Sequence, residues 1–127
     1  MDFKLELIAV PVSDVDRAKA FYVDKLGFNA DHDYQVSDEV RFVQLTPPGS
    51  ACSIAIGTGL GGTLEPGSLD VIQVVIPDAD AVLAELRAKG VEAEGVDEQD
   101  WGRFVSVADP DGNRWTLQQL PDYGQQS

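Results

Sequence analysis

An internal repeat restricts the fold of this chain more than any other feature. Asp14 is matched by Asp78 at an offset of 64 residues and Gly27 by Gly90 at 63. Arg41-Phe42-Val43 is matched by Arg103-Phe104-Val105 at 62, and Gly49 by Gly112 at 63. Offsets that drift so little across a whole half indicate duplication of one supersecondary unit. A half of roughly 55 residues buries too little surface to be stable alone, so two such units must pack together, within one chain or between chains.

Each half reads as strand, helix and three strands. In the first, residues 5–12 alternate and are rich in β-formers, predicting a strand. Asp14 is placed to cap a helix whose apolar stripe is Val15, Ala18, Phe21, Tyr22 and Leu26, ended by Gly27. Strands are predicted at about 28–34, 39–46 and 51–57, with Ser37-Asp38 and Pro47-Pro48-Gly49 as turns. The pattern restarts with a strand at 69–76, a helix capped by Asp78 and ended by Gly90, and strands at about 91–96, 102–108 and 114–119. Asp109-Pro110-Asp111-Gly112-Asn113 specifies the last tight turn. The expected organisation is one domain over residues 1–120, with module one at about 4–57, a Gly-rich linker at 58–68 and module two at about 69–120. Residues 121–127 read as a polar tail. The Gly57–Gly62 run lacks the Lys-Ser/Thr ending of a phosphate loop and has no capped helix after it, so it reads as linker.

Composition narrows the function classes. The formal net charge of −13 opposes binding to nucleic acid and to anionic membrane, and favours capture of cationic small molecules. No apolar run reaches the ~20 residues of a membrane span. The single cysteine, Cys52, excludes an intramolecular disulfide framework and suits a reducing, cytoplasmic setting.

The stretch Val12 to Tyr22 followed by Leu26-Gly27-Phe28, and the stretch Phe104 through Asp109-Pro110-Asp111-Gly112-Asn113 to Leu117, together resemble the glyoxalase/bleomycin-resistance/dioxygenase superfamily, the vicinal oxygen chelate proteins. The resemblance spans about residues 5–120. It implies an α+β fold in which two βαβββ modules form a curled mixed sheet, a cup with helices outside. It also implies a homodimer, in some members with modules exchanged between chains. Many members hold a divalent metal in the cup with His, Gln or Glu, one from the first and one from the last strand of each half. Here those positions fall on Leu7, Ser53, Val71 and Thr116, which offer aliphatics and neutral hydroxyls, a poor first shell for a divalent ion. A shift of one residue brings in Glu6, Ile8, Ile72 and Leu117, a single carboxylate. The expectation is therefore no metal and no cofactor, with isomerase or ring-cleaving metal chemistry disfavoured.

Strand alternation assigns the faces. Ile8, Val10, Val12, Val43, Leu45 and Ile54, with Ile72, Val74, Ile76, Val105, Val107 and Leu117, are expected under the helices. The opposite face carries Leu5, Leu7, Ala9, Phe42, Gln44, Ser53 and Ala55 in one half. In the other it carries Val71, Gln73, Val75, Phe104, Ser106, Thr116 and Gln118. Leu7, Phe42, Gln44, Ser53, Val71, Gln73, Trp101, Phe104, Ser106, Thr116 and Gln118 are thus the candidate ligand-binding residues. Trp101 is included because it belongs to no core stripe: it either closes the pocket mouth or anchors a loop or dimer contact. Tyr34 carries the same ambiguity.

Cys52 and its repeat partner Trp115 are expected in the core. His32, between Asp31 and Asp33, is the one candidate catalytic group, either a general base or an ordinary surface histidine. Arg41 and Arg103 are read as surface ion-pair residues, with an anionic-ligand clamp as the other reading. The leading function is metal-free binding of a small aromatic or cationic molecule, of sequestration or resistance type. The alternative is a lyase, isomerase or dioxygenase-like enzyme of the same superfamily.

Overall fold

The alternating segments assemble into two four-stranded mixed sheets, one per repeat, in the computed structural model, which describes residues 1–121. The first repeat contains β1 (Leu7–Ala9), α1 (Val15–Ala20), β2 (Asn29–Gln35), β3 (Arg41–Thr46) and β4 (Ser53–Thr58). Its strand order is β1-β4-β3-β2, with β1 and β4 parallel and the other pairs antiparallel. The second repeat contains β5 (Ile72–Val75), α2 (Ala79–Ala88), β6 (Glu94–Gln99), β7 (Gly102–Ala108) and β8 (Arg114–Gln119), in the same order, β5-β8-β7-β6. The chain divides into two compact units: residues Met1–Leu69 with Asp109–Asn113, and Asp70–Ala108 with the residues from Arg114. The tail expected at 121–127 lies, from residue 122, outside the described residues.

The expected caps form. Asp14 accepts from the Arg17 amide and Asp78 from the Ala81 amide, satisfying one orphan donor at each helix start. The first helix is not one α-helix to Gly27, however. It widens into a π-helical turn over Phe21–Lys25, with the Leu26 amide bonded to the Phe21 carbonyl. The first strand is shorter than 5–12. Val10 still donates to the Ala55 carbonyl, but Pro11 has no N–H with which to extend the ladder. The sixth strand begins at Glu94 rather than 91, because Val91 is held by the Leu86 carbonyl as part of the α2 exit.

Alternation places most of the core where expected, although Ile8 is exposed and Val12, Val74 and Ile76 are half-buried. In the first unit Val10, Val15, Ala18, Tyr22, Val43, Leu45, Ile54 and Ile56 are buried; in the second, Ile72, Leu83, Leu86, Val105, Val107, Trp115 and Leu117. Cys52 is only half-buried.

The duplication is visible in the hydrogen bonds as well as in the sequence. Arg41 on β3 reaches Asp16 in the first turn of α1 at 2.8 Å, and Arg103 on β7 reaches Asp80 in the first turn of α2 at 2.8 Å. Each second strand carries a bulge, between Ala30 and His32 and between Gly95 and Asp97. The strand registers carry the same relation. Arg41 pairs with Thr58 and its counterpart Arg103 with Gln119, so Ala55, not Ser53, is the counterpart of Thr116. Ala9 pairs with Ala55 and Gln73 with Thr116, so the first strands keep the expected offset of 64, with Val71 the counterpart of Leu7.

The turn at 109–113 is more than a hairpin. Asp109 and Asn113 are buried, and the Asp109 carboxylate accepts from the Tyr22 hydroxyl at 2.6 Å, the Asn113 side-chain amide at 2.8 Å and two backbone amides of the turn. Asn113 also donates to the Pro11 carbonyl at 2.8 Å and accepts from Leu69 N at 3.1 Å. Gly67 lies against this turn with φ of 81°, and a β-carbon there would fall 2.1 Å from the Asp111 carbonyl oxygen. Only glycine fits both the left-handed backbone and the close approach.

Candidate functional site

Residues directly paired across antiparallel strands share a face. In the first unit this puts Leu7 and Ala9 of β1, Ser53, Ala55 and Gly57 of β4, Phe42, Gln44 and Thr46 of β3 and His32 and Tyr34 of β2 on the face opposite the buried Val43, Leu45 and Ile54. The candidates Leu7, Phe42, Gln44 and Ser53 are thus brought onto one surface. His32 joins them, directly opposite Gln44. Its ring stacks on Tyr34 at 5.5 Å between centroids. Simple alternation does not reveal this, because the bulge at Asp31 resets the strand's parity.

This face carries a directed chain of hydrogen bonds. The Thr46 hydroxyl donates to the exposed Asp31 carboxylate, which also accepts from Asn29 at 2.7 Å. Thr46 Oγ1 meets Ser53 Oγ at 2.7 Å, and Gln44 Nε2 donates to Ser53 Oγ at 3.3 Å. The bonds from Thr46 and then Asn29 hold the Asp31 carboxyl below the ordinary carboxylate range. Ser53 is 5% exposed, so its hydroxyl serves this chain rather than standing open on the surface.

A cavity of about 560 Å³ opens at one end of the same face. Its floor is small residues, Ala9, Ala55 and Gly57, and its rim is the Gly-rich segment with Leu60, Leu64 and Pro66. The stretch read only as a linker therefore forms a wall. The volume is within the usual small-molecule range of about 300–1,000 Å³.

In the second unit, Gln73, Phe104, Ser106, Thr116 and Gln118 share the corresponding face. Gln73 Nε2 donates to Gln118 Oε1 at 2.7 Å, and Gln118 Nε2 to the Trp101 carbonyl at 2.9 Å. Trp101 itself, in the β6–β7 turn, is 60% exposed, and Val71 precedes β5 with 67% exposure. Arg41 and Arg103 are engaged with Asp33 and Asp16, and with Asp80 and Glu98, so their charges are already paired.

The positions where a metal would sit do not suit one. Leu7 and Val71 have no lone pair, Ser53 already accepts and donates, and Thr116 is neutral. Among the described residues no three His, Cys, Asp or Glu side chains are grouped to hold an ion, and no helix is long and apolar enough to cross a membrane.

This arrangement has close counterparts. The structure of TnmS3, an antibiotic binding protein from Streptomyces sp. CB03234, superposes with a TM-score of 0.86 at 36% identity, over 94% of this chain and 98% of that one. A glyoxalase/bleomycin resistance protein from the same organism gives 0.80 at 37% identity, over 91% and 100%. The uncharacterized protein YetH of Bacillus subtilis (strain 168) is 27% identical over 88% of this chain and 94% of its own length. The sequence pattern of one family matches residues 4–117. The chain belongs to the Glyoxalase/Bleomycin resistance protein/Dioxygenase superfamily.

Proposed function

We propose that this protein binds a small aromatic or cationic organic molecule without a metal, and acts by sequestering it. The observation that carries this reading is the cavity over Ala9, Ala55 and Gly57, bordered by leucines and flanked on the same sheet face by the Gln44 carboxamide. A small-residue floor lets a flat ring approach the sheet closely, and one or two amides orient it. The antibiotic-binding TnmS3 gives the same reading independent support. The net charge of −13 favours a cationic partner.

A thermal-shift screen with cationic antibiotics, aromatic acids and glutathione conjugates tests this, since a ligand that prefers the native state raises its melting temperature. The expected result is a dose-dependent rise with an antibiotic, in protein that elemental analysis finds free of stoichiometric transition metal. No rise with any member of the panel, or one metal per chain, overturns the reading.

Enzymatic action on the same molecule is the second reading, because His32 stands on this face opposite Gln44. Product formation from a bound compound, lost in His32→Gln, is its signature.

We further propose that the functional unit is a homodimer in the reducing cytoplasm. β1 and β5 are outer strands of their sheets and, with the residues just before them, expose Leu5, Leu7, Ile8, Val71 and Val75. Apolar strand edges of this kind are ordinarily covered, and a second copy covers them symmetrically. Sedimentation at micromolar concentration should give twice the chain mass; a monomer there refutes it.

A further inference from the structure

The hydrogen-bond chain on the first sheet has only one possible direction. Ionised Asp31 has no proton to give, so Thr46 must donate to it. The one hydroxyl proton of Thr46 is then committed, so the 2.7 Å contact with Ser53 requires Ser53 to donate. Ser53 Oγ must in turn accept from its other neighbour, which makes the Gln44 atom at 3.3 Å the amide nitrogen. The Gln44 carbonyl oxygen is thereby left pointing away from the chain, and among the described residues nothing donates to it. Gln44 pairs directly with Ala55, which is on the cavity floor. Each bond in such a chain polarises the next, so the negative charge on Asp31 makes the Gln44 carbonyl a stronger acceptor.

Resting on the reading of this cavity as the ligand site, we propose that Gln44 is the specificity-determining contact, an obligate acceptor that selects ligands presenting a hydroxyl or N–H group. Asp31, Thr46 and Ser53 are positioning residues that fix its orientation. An amide free to turn over would bind a hydroxyl and a carbonyl alike. An amide held at its nitrogen discriminates between them, because an acceptor set against an acceptor leaves both unpaired.

The test uses the full chain and two probes that differ in one donor, 2-naphthol and 2-methoxynaphthalene, titrated by NMR with the backbone amides of Ala9, Ala55 and Gly57 as reporters. The expected result is about fivefold tighter binding of the naphthol, the size of one neutral hydrogen bond. Gln44→Leu and Thr46→Val should bring the ratio below twofold. Thr46→Ser, which keeps the hydroxyl, should retain the preference. Asp31→Asn should reduce the ratio and shift the Gln44 side-chain amide resonances even without probe, a response that a purely structural role would not produce. Equal affinities for the two probes in the parent protein, with the cavity amides responding to both, overturn the selectivity of Gln44 and leave the cavity reading standing. No response of those amides to either probe overturns the cavity reading, and the role of Gln44 falls with it.

Discussion

The two halves share a skeleton and differ in what they do with it. Both carry a capped helix, a bulged second strand and an arginine on the third strand that reaches an aspartate in the first helical turn. They diverge at the hairpin turn and on the open face. The turn near Gly49 is half-buried to exposed, while its repeat counterpart at 109–113 contains two buried polar residues whose side chains make six hydrogen bonds of 3.1 Å or less. On the open face, polar groups sit on β3 and β4 in the first half, and on β5 and β8 in the second. Features that shape the backbone are duplicated; the hydrogen bonds of the open face and those that anchor a turn are particular to one half.

The largest expected effect concerns the turns. Asp109→Ala removes a buried carboxylate that accepts from the Tyr22 hydroxyl, the Asn113 amide and two backbone N–H groups. The loss should be about 3 kcal/mol, given about 1–3 kcal/mol for a buried unsatisfied group. Pro48→Ala in the exposed repeat-related turn should change stability by less than about 0.5 kcal/mol. Urea unfolding of both variants measures the difference. Similar losses would show that the turns are equivalent after all.

The next effect asks which half holds the ligand. Ala9 on β1 and Val75 on β5 lie opposite Ala55 and Gln118 in the first strands of their sheets, and both are exposed. Ala9→Trp fills the cavity and should weaken the antibiotic giving the largest thermal shift by at least tenfold, about 1.4 kcal/mol. Val75→Trp should change its affinity less than twofold. The opposite order, read by calorimetric titration, would move the site to the second half.

The skeleton was legible in the sequence because its causes are local. Caps, helix-ending glycines and apolar alternation each act over a few residues, and they gave the element order and the inward-facing core. The face of Gln44 and Phe42 was legible for the same reason. What escaped depends on contacts distant in the chain. Asp109 and Asn113 read as turn residues because Tyr22 and Pro11, their partners, are 87 and 102 residues away. His32 was ambiguous because a bulge cannot be read from alternation alone. Ser53 was matched to Thr116 because the last strands were aligned on Gly49 and Gly112, whereas the pairing that relates Ala55 to Thr116 is set across strands. The Gly-rich segment read as a linker because its composition specifies freedom, and only the fold turns it into a wall.

The smallest expected effect separates the two arginine clamps. Arg41 and Asp33 have side chains 20% and 28% exposed, with two hydrogen bonds between them at 3.0 and 2.9 Å and a further bond from Lys19 to Asp33 at 2.8 Å. Arg103, Asp80 and Glu98 are more open to solvent. The bonds from Arg41 and then Lys19 hold the Asp33 carboxyl well below the usual carboxylate range. A carboxylate whose folded pKa is depressed adds stability above its unfolded pKa, about 3.9, and loses that contribution as pH falls toward the folded value. Arg41→Met should therefore cost about 1 kcal/mol near pH 6, in keeping with a partly shielded surface pair. That gap to the parent protein should narrow progressively below about pH 4. Arg103→Met should cost less at every pH, because its partners are better hydrated and salt screens them more fully. Urea unfolding between pH 6 and pH 3 measures both gaps. A gap for Arg41→Met that stays constant across that range would mean the arginine acts through its packing and not through its pairing with Asp33.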